Sequence, residues 1–396
     1  MVKISPPQLG MVITIAISAL TFYGAFYFQV WAATKAHAVS DLPAHTNFII
    51  KFAQENNFPA YSIWYRLVYT VSGLSTSFNT LAITSIALLT GLVTTKYLIT
   101  YNILLENQKS VKVAALSAIA MIIVMPLISY YNCSYVSKGS ICISSVHVYL
   151  GNISPNQWHN STLILAMPIN LILFYYSIKH IHSTKQTTYL KIGAICALSI
   201  ICKPSYAMSF LPILCIAILI VHRAKPLCAI TNSLAVAIPS MSLLLYQWYE
   251  TFIKSELLAP GSKTVIAPFY VWSRYSPHIA FSLLLSLAFP LFVLLFFWNK
   301  LDSHLKFAWL GLLSALTFAI MFSESPNWGA GNYFWSVIAS NYILFVFSLK
   351  LLLNQRKDIR TTICYSILNL HVMSGILFLA AFMFAGITLG KTSLMF

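Results

Sequence analysis

Carboxylates are nearly absent from this chain. Asp and Glu together number eight in 396 residues, and charged residues of both signs make up 8%. A soluble globular domain is about 25% charged, so that class is excluded. Hydrophobic residues reach 59% and aromatics 14%, which excludes a disordered chain. Alternating apolar and polar residues are also missing. The apolar runs are continuous for about 20 residues, unlike the strands of an outer-membrane barrel. There is no Walker or glycine-rich phosphate loop, no CxxC or Cys–His spacing that suggests zinc, and no internal repeat. Ala36-His37-Ala38 imitates a leader cleavage site, but the apolar run before it is long enough to span, so it reads as an anchor. What remains is an all-α polytopic membrane bundle, a single transmembrane domain over residues 1–396 with no soluble domain.

Eleven apolar segments are expected, at roughly 9–31, 77–99, 113–131, 161–178, 189–202, 206–222, 228–249, 278–298, 307–323, 333–353 and 363–389. The formal charge of +16 lies in short loops, where it reads as topology and not as a nucleic-acid surface. Basic loops at Lys179–Lys191, Arg223–Lys225 and Arg356–Arg360 put the N-terminus inside, with Lys96 and Lys109 also assigned to inner segments. Basic loops flank both ends of 189–222, so both ends lie inside, and Lys203-Pro204 sits in its middle. Proline breaks a helix. The segment is therefore a hairpin of two short helices with Lys203-Pro204-Ser205-Tyr206 at its outer tip. The outer loops are then 32–76, 132–160, 250–277 and 324–332.

With so few acids, each can be weighed. Glu106, Asp302 and Asp358 sit in inner loops beside Lys or Arg, as solvated charges. Glu250 and Glu256 flank a span end. Asp41 lies in Ser40-Asp41-Leu42-Pro43-Ala44-His45. Ser40 or Asp41 is placed to cap a helix through 42–57, with Pro43 in its first turn. Leu42, His45, Ile49 and Phe52 share one side of it, which predicts an amphipathic helix on the membrane surface. Asp41 is then either a plain helix cap or a general base held at the bilayer surface.

The second outer loop ends in Ser154-Pro155-Asn156-Gln157-Trp158-His159-Asn160. Ser-Pro-Asn reads as a turn and Trp158 as an interfacial anchor. His159 and Asn160 are candidates for binding phosphate or sugar. Lys203 is expensive within a span, but at a hairpin tip it can reach a lipid phosphate. Arg274 is a candidate to join it. Glu324 through Trp335 contains Gly329, Gly331 and Asn332 among aromatic residues. Glycine there admits close backbone approach to a ligand, the aromatics suit sugar stacking, and Glu324 is a possible acceptor-binding acid. Cys133 and Cys142 fall in an outer loop, where a disulfide persists if that face is oxidising. The other five cysteines read as small core residues.

Together, the lone acid after the first span and the strings around Asp41, Trp158–His159–Asn160, Lys203-Pro204-Ser205 and Gly331-Asn332-Tyr333-Phe334-Trp335 resemble the polytopic GT-C glycosyltransferases that use polyprenyl-phosphate sugars. The resemblance implies Asp41 as general base, with His45, Trp158, His159, Asn160, Lys203, Arg274, Glu324 and Asn332 binding substrate. It implies a polyprenyl-phosphate sugar donor, a lipid-linked or surface glycan acceptor, a membrane-lipid environment and no nucleic acid. The implied location is a bacterial inner membrane, with the N-terminus cytoplasmic and the site periplasmic or extracellular. Many relatives carry paired acids and a soluble outer domain. Asp41 stands alone here, so no metal or other cofactor is expected. The alternatives are an O-antigen polymerase, disfavoured by the scarcity of outer arginines, and a lipid-linked sugar flippase or transporter.

Overall fold

The computed structural model describes residues 4–31, 40–106, 110–127, 149–254 and 263–388. Helix α1 (Pro6–Phe26) continues as a π-helical turn to Trp31. Two short helices follow, α2 (Leu42–Gln54) and α3 (Trp64–Val71). Then come α4 (Phe78–Leu105), α5 (Val111–Ile123), α6 (Ser161–Lys179), α7 (Gln186–Cys202), α8 (Ser205–Val221) and α9 (Pro226–Trp248). The chain ends with α10 (Tyr270–Tyr275), α11 (Ile279–Phe297), α12 (Ser303–Met321), α13 (Phe334–Leu353) and α14 (Ile359–Thr388). Strands β1 (Lys263–Ile266) and β2 (Phe322–Ser325) pair antiparallel, with Lys263 opposite Ser325.

Eight of these helices, α1, α4, α6, α9 and α11–α14, are long and apolar enough to cross a bilayer, and α5, α7 and α8 are shorter apolar helices. The protein is an integral membrane protein, and each of the eleven expected apolar segments contains a helix. Two of its helices form the centre. Every residue of α13 from Phe334 to Lys350 is buried, and so is most of α6. Helices that are hydrophobic all round belong in such a position. Around them, α1 packs on α4, α5 and α14, α7 on α9, and α8 on α9, α12 and α13.

The hairpin at 189–222 forms as expected, with α7 ending at Cys202 and α8 starting at Ser205. The first-loop helix also forms. Leu42, His45, Ile49 and Phe52 are all buried on one side of α2. That side rests on α3 and α4, so protein, and not the bilayer surface, covers it.

Two spans differ from expectation. Helix α4 runs to Leu105, so Lys96, assigned to an inner segment, lies within the helix and is buried. Helix α5 stops at Ile123 instead of reaching 131. Pro126 is the reason: it lacks an N–H, and the residue before a proline avoids helical angles. At 13 residues α5 is about 20 Å long, short of a bilayer core of about 30 Å. Its unwound continuation is held by neighbours. Met125 N–H donates to the His371 carbonyl, and Leu127 N–H to that of Leu285. Ser374 donates to the Pro126 carbonyl.

The segment 149–160 differs most. It reads as a surface loop, yet all twelve residues are buried. It dips among the helices, and several of its polar groups are met there. Asn156 donates to the carbonyls of Met121 and Val124, at 2.8 and 2.9 Å. Ile153 is held by Ser286 and Asn341, and Gly151 by Trp272. Irregular backbone at membrane depth is tolerated only where protein or a cavity surrounds it. Trp158 is accordingly no interfacial anchor: it is 1% exposed and packs against Phe22.

Candidate functional site

At the end of the bundle where α2 begins, four chain segments converge. Asp41 occupies the N-cap position of α2, but its carboxylate makes no capping hydrogen bond. Ser40 Oγ accepts from Leu42 N–H instead, at 3.2 Å. The Asp41 side chain is 53% exposed, and its Oδ2 lies 3.7 Å from His159 Nε2. Surrounding protein raises its pKa by desolvation, and the Lys203 charge opposes this.

His159 reaches this point because the buried segment 149–160 delivers it to the start of α6. Its ring centre lies 4.0 Å from that of Tyr149, tilted, and 5.8 Å from that of Trp335, edge-on. The next residue, Asn160, caps α6: its Oδ1 accepts from Leu163 N–H at 3.1 Å and from Thr162 Oγ1 at 2.8 Å. This satisfies a polar side chain that would otherwise be costly at a buried helix start.

Lys203 enters from the α7–α8 tip. Its Nζ donates to Thr162 Oγ1 at 2.7 Å and lies 3.5 Å from Asn160 Oδ1. It also lies 5.5 Å from the centre of the Trp335 ring, within cation–π range. Among the described residues no carboxylate forms an ion pair with it. Burial lowers its pKa to about 7, with Asp41 and Glu324 opposing at longer range. The tip is tied to the first loop: Ser62 Oγ donates to the Cys202 carbonyl at 2.7 Å and Ile63 N–H to that of Ile201 at 2.9 Å.

Glu324, on β2, closes the group. Both its oxygens accept from Asn332 Nδ2 at 2.9 Å, and Asn332 Oδ1 accepts from Trp335 Nε1 at 3.3 Å. Burial raises the Glu324 pKa, against the Asn332 hydrogen bonds and the Lys203 charge. His45 forms a supporting layer. Its Nδ1 is 2.9 Å from the Tyr65 hydroxyl, and burial followed by the Lys203 charge lowers its pKa to about 3.

Asp41, His159, Asn160, Lys203, Glu324 and Asn332 are thus brought together around Trp335, with His45 behind them. Two candidates stand apart. Trp158 faces the interior beside Lys96, and Arg274 is exposed on α10, where its guanidinium lies against Gly329. Gly331 backs onto the Leu150 side chain, so protein occupies the space a side chain would take. Thr162 and Tyr149 were not foreseen. Thr162 follows Asn160 by two residues in the same polar string, a signal that was available. Cys133 and Cys142 lie outside the described residues. Among the described residues no three His, Cys, Asp or Glu side chains gather as a metal site requires.

No protein-family model matches this chain, and no curated protein does.

Proposed function

We propose that the protein is an inverting GT-C-like glycosyltransferase. It moves a sugar from polyprenyl phosphate to a lipid-linked or surface glycan at the outer face of a bacterial inner membrane. The observation that carries this is the separation of roles at the α2 start: Ser40 does the capping, leaving the Asp41 carboxylate beside His159 and within the field of the Lys203 charge.

Asp41 accepts the proton from an acceptor hydroxyl. The oxygen of that hydroxyl bonds to the anomeric carbon as the bond from that carbon to the phosphate oxygen breaks. Lipid phosphate leaves with the bonding electrons and gains negative charge. A raised carboxylate pKa brings the base closer to its working pH. Lys203, paired with no carboxylate among the described residues, is placed for the phosphate; the donor's phosphodiester anion, and more strongly the dianion that leaves, favours the proton that burial disfavours. Glu324 and Asn332 offer hydrogen bonds suited to sugar hydroxyls, with the buried Trp335 ring packed behind them.

The test is transfer of labelled hexose from polyprenyl phosphate to lipid-linked glycan in membranes. Asp41→Asn at equal abundance is expected to lower transfer about 10²–10⁴-fold. Equal transfer by both proteins would overturn the role of Asp41, and absence of transfer by the unchanged protein would overturn the reaction.

A second reading is favoured by the unwound end of α5 and by Lys96 at depth, since transporters use broken helices and intramembrane charges. It predicts flipping of lipid-linked sugar in proteoliposomes. The space beside Lys96 is only about 10 Å³, too small for a sugar in this conformation.

A further inference from the structure

Lys96 is 5% exposed, and its Nζ donates to Asn156 Oδ1 at 2.7 Å. The Tyr342 ring centre lies 4.4 Å from the same nitrogen. An ammonium has three donors, and among the described residues no second hydrogen bond from this one is made. Beside it is a cavity of about 10 Å³ lined by Lys96, Gln157, Trp158 and apolar side chains. Two polar atoms of that lining, Trp158 Nε1 and Gln157 Oε1, are buried without a hydrogen-bond partner among the described residues. The inventory is two donors and one acceptor around a space at the lower limit for one water. One water placed there would be able to accept from Lys96 and Trp158 and donate to Gln157, which would satisfy all three.

Gln157 leads onward. Its Nε2 is 3.3 Å from His159 Nε2, and that same ring nitrogen is 3.7 Å from Asp41. Asn156, held by Lys96, is three residues from His159 on the same buried segment. We propose that Lys96 is a positioning residue for His159, acting through Asn156 and through one water bound between Lys96, Trp158 and Gln157. The geometric claim stands by itself. That His159 placement serves sugar transfer rests on the function proposed above.

Full-length protein in lipid nanodiscs is labelled with diethylpyrocarbonate, and modification of each histidine is read by mass spectrometry. His222, bonded to Tyr189 at 2.7 Å, is the reference. Lys96→Met is expected to raise His159 labelling relative to His222 by roughly tenfold, the opening expected on losing a charge-assisted hydrogen bond. Lys96→Arg, which keeps the charge and an N–H for Asn156, is expected to restore most of the protection. If Lys96→Met does not accumulate, Lys96→Gln replaces it, with a smaller rise expected. An unchanged His159-to-His222 ratio, or a parallel rise at both, would overturn the proposal. Transfer assayed on the same samples separates the two claims: altered labelling in a protein without transfer activity leaves the positioning intact and removes the reaction.

Discussion

The protein gathers charge at both ends of its bundle and treats it in opposite ways. At the end of α4, Glu106 accepts from Lys350 Nζ at 2.6 Å, Lys179 Nζ at 2.7 Å and the Tyr175 hydroxyl. Burial disfavours the Glu106 charge, but these three donors prevail and draw its pKa to about 2. Three helices, α4, α6 and α13, are joined by one saturated carboxylate. This end reads as a structural clamp. At the other end, Asp41, Glu324 and Lys203 bear on one another without an ion pair among the described residues. Each is shifted toward its neutral form by burial. Contact neutralises charge and fastens helices, whereas separation keeps charge available to a ligand.

This contrast can be broken from either side. Lys203→Gln removes the cation of the Asp41 end while leaving an amide for Thr162. It is expected to lower transfer about 10²-fold with little change in melting temperature. A large loss of melting temperature instead would make Lys203 another clamp. The next effect is on pH dependence. Asp41 must be ionised to take a proton, so kcat/KM rises with pH through its elevated carboxylate pKa. Lys203 must be protonated to meet phosphate, so kcat/KM falls as pH passes about 7. Lys203→Arg keeps its charge throughout this range and is expected to remove the falling limb. A limb that persists belongs to another group.

Glu106→Gln acts on the clamp alone. A third of the Glu106 side chain meets solvent, so the loss is expected to be about 1–2 kcal/mol. It is read as a lower melting temperature with transfer per folded molecule unchanged. Gly331→Ala is the mildest change. Its added carbon meets the movable Leu150 side chain, at an expected expense of about 1 kcal/mol by differential scanning fluorimetry.

The sequence carried the helices well because hydropathy and basic loops depend on residues close together. The Lys203-Pro204 tip was legible from a proline between two apolar runs with basic flanks. The buried side of α2 was legible from the spacing of Leu42, His45, Ile49 and Phe52. The segment 149–160 was not. Its Asn, Ser and Gln residues look the same in a solvated loop as in a buried one, and their partners Met121, Val124, Ser286 and Asn341 lie far along the chain. Lys96 was misplaced for the same reason, since its partners Asn156 and Tyr342 lie far along the chain. The pairing of β1 with β2 was likewise invisible in two four-residue strands. The break in α5 had a local signal, Pro126, that the strength of the apolar run concealed. Within the site, Asp41, His159 and Lys203 were found as oddities of type and place. Which of them touch depended on contacts between distant segments.

Helices α7 and α8 have 17 residues each and so rise about 25 Å. They are about 5 Å shorter than the lipid tails beside them, and Leu190, Leu198, Ile216 and Ile220 are exposed along their flanks. Lipid must shorten to match such a mismatch. A bilayer that adapts by thinning would be thinnest beside these two helices and the tip that holds Lys203. Headgroups drawn inward there would come nearer the ammonium, which is the side from which the proposed donor phosphate would have to approach.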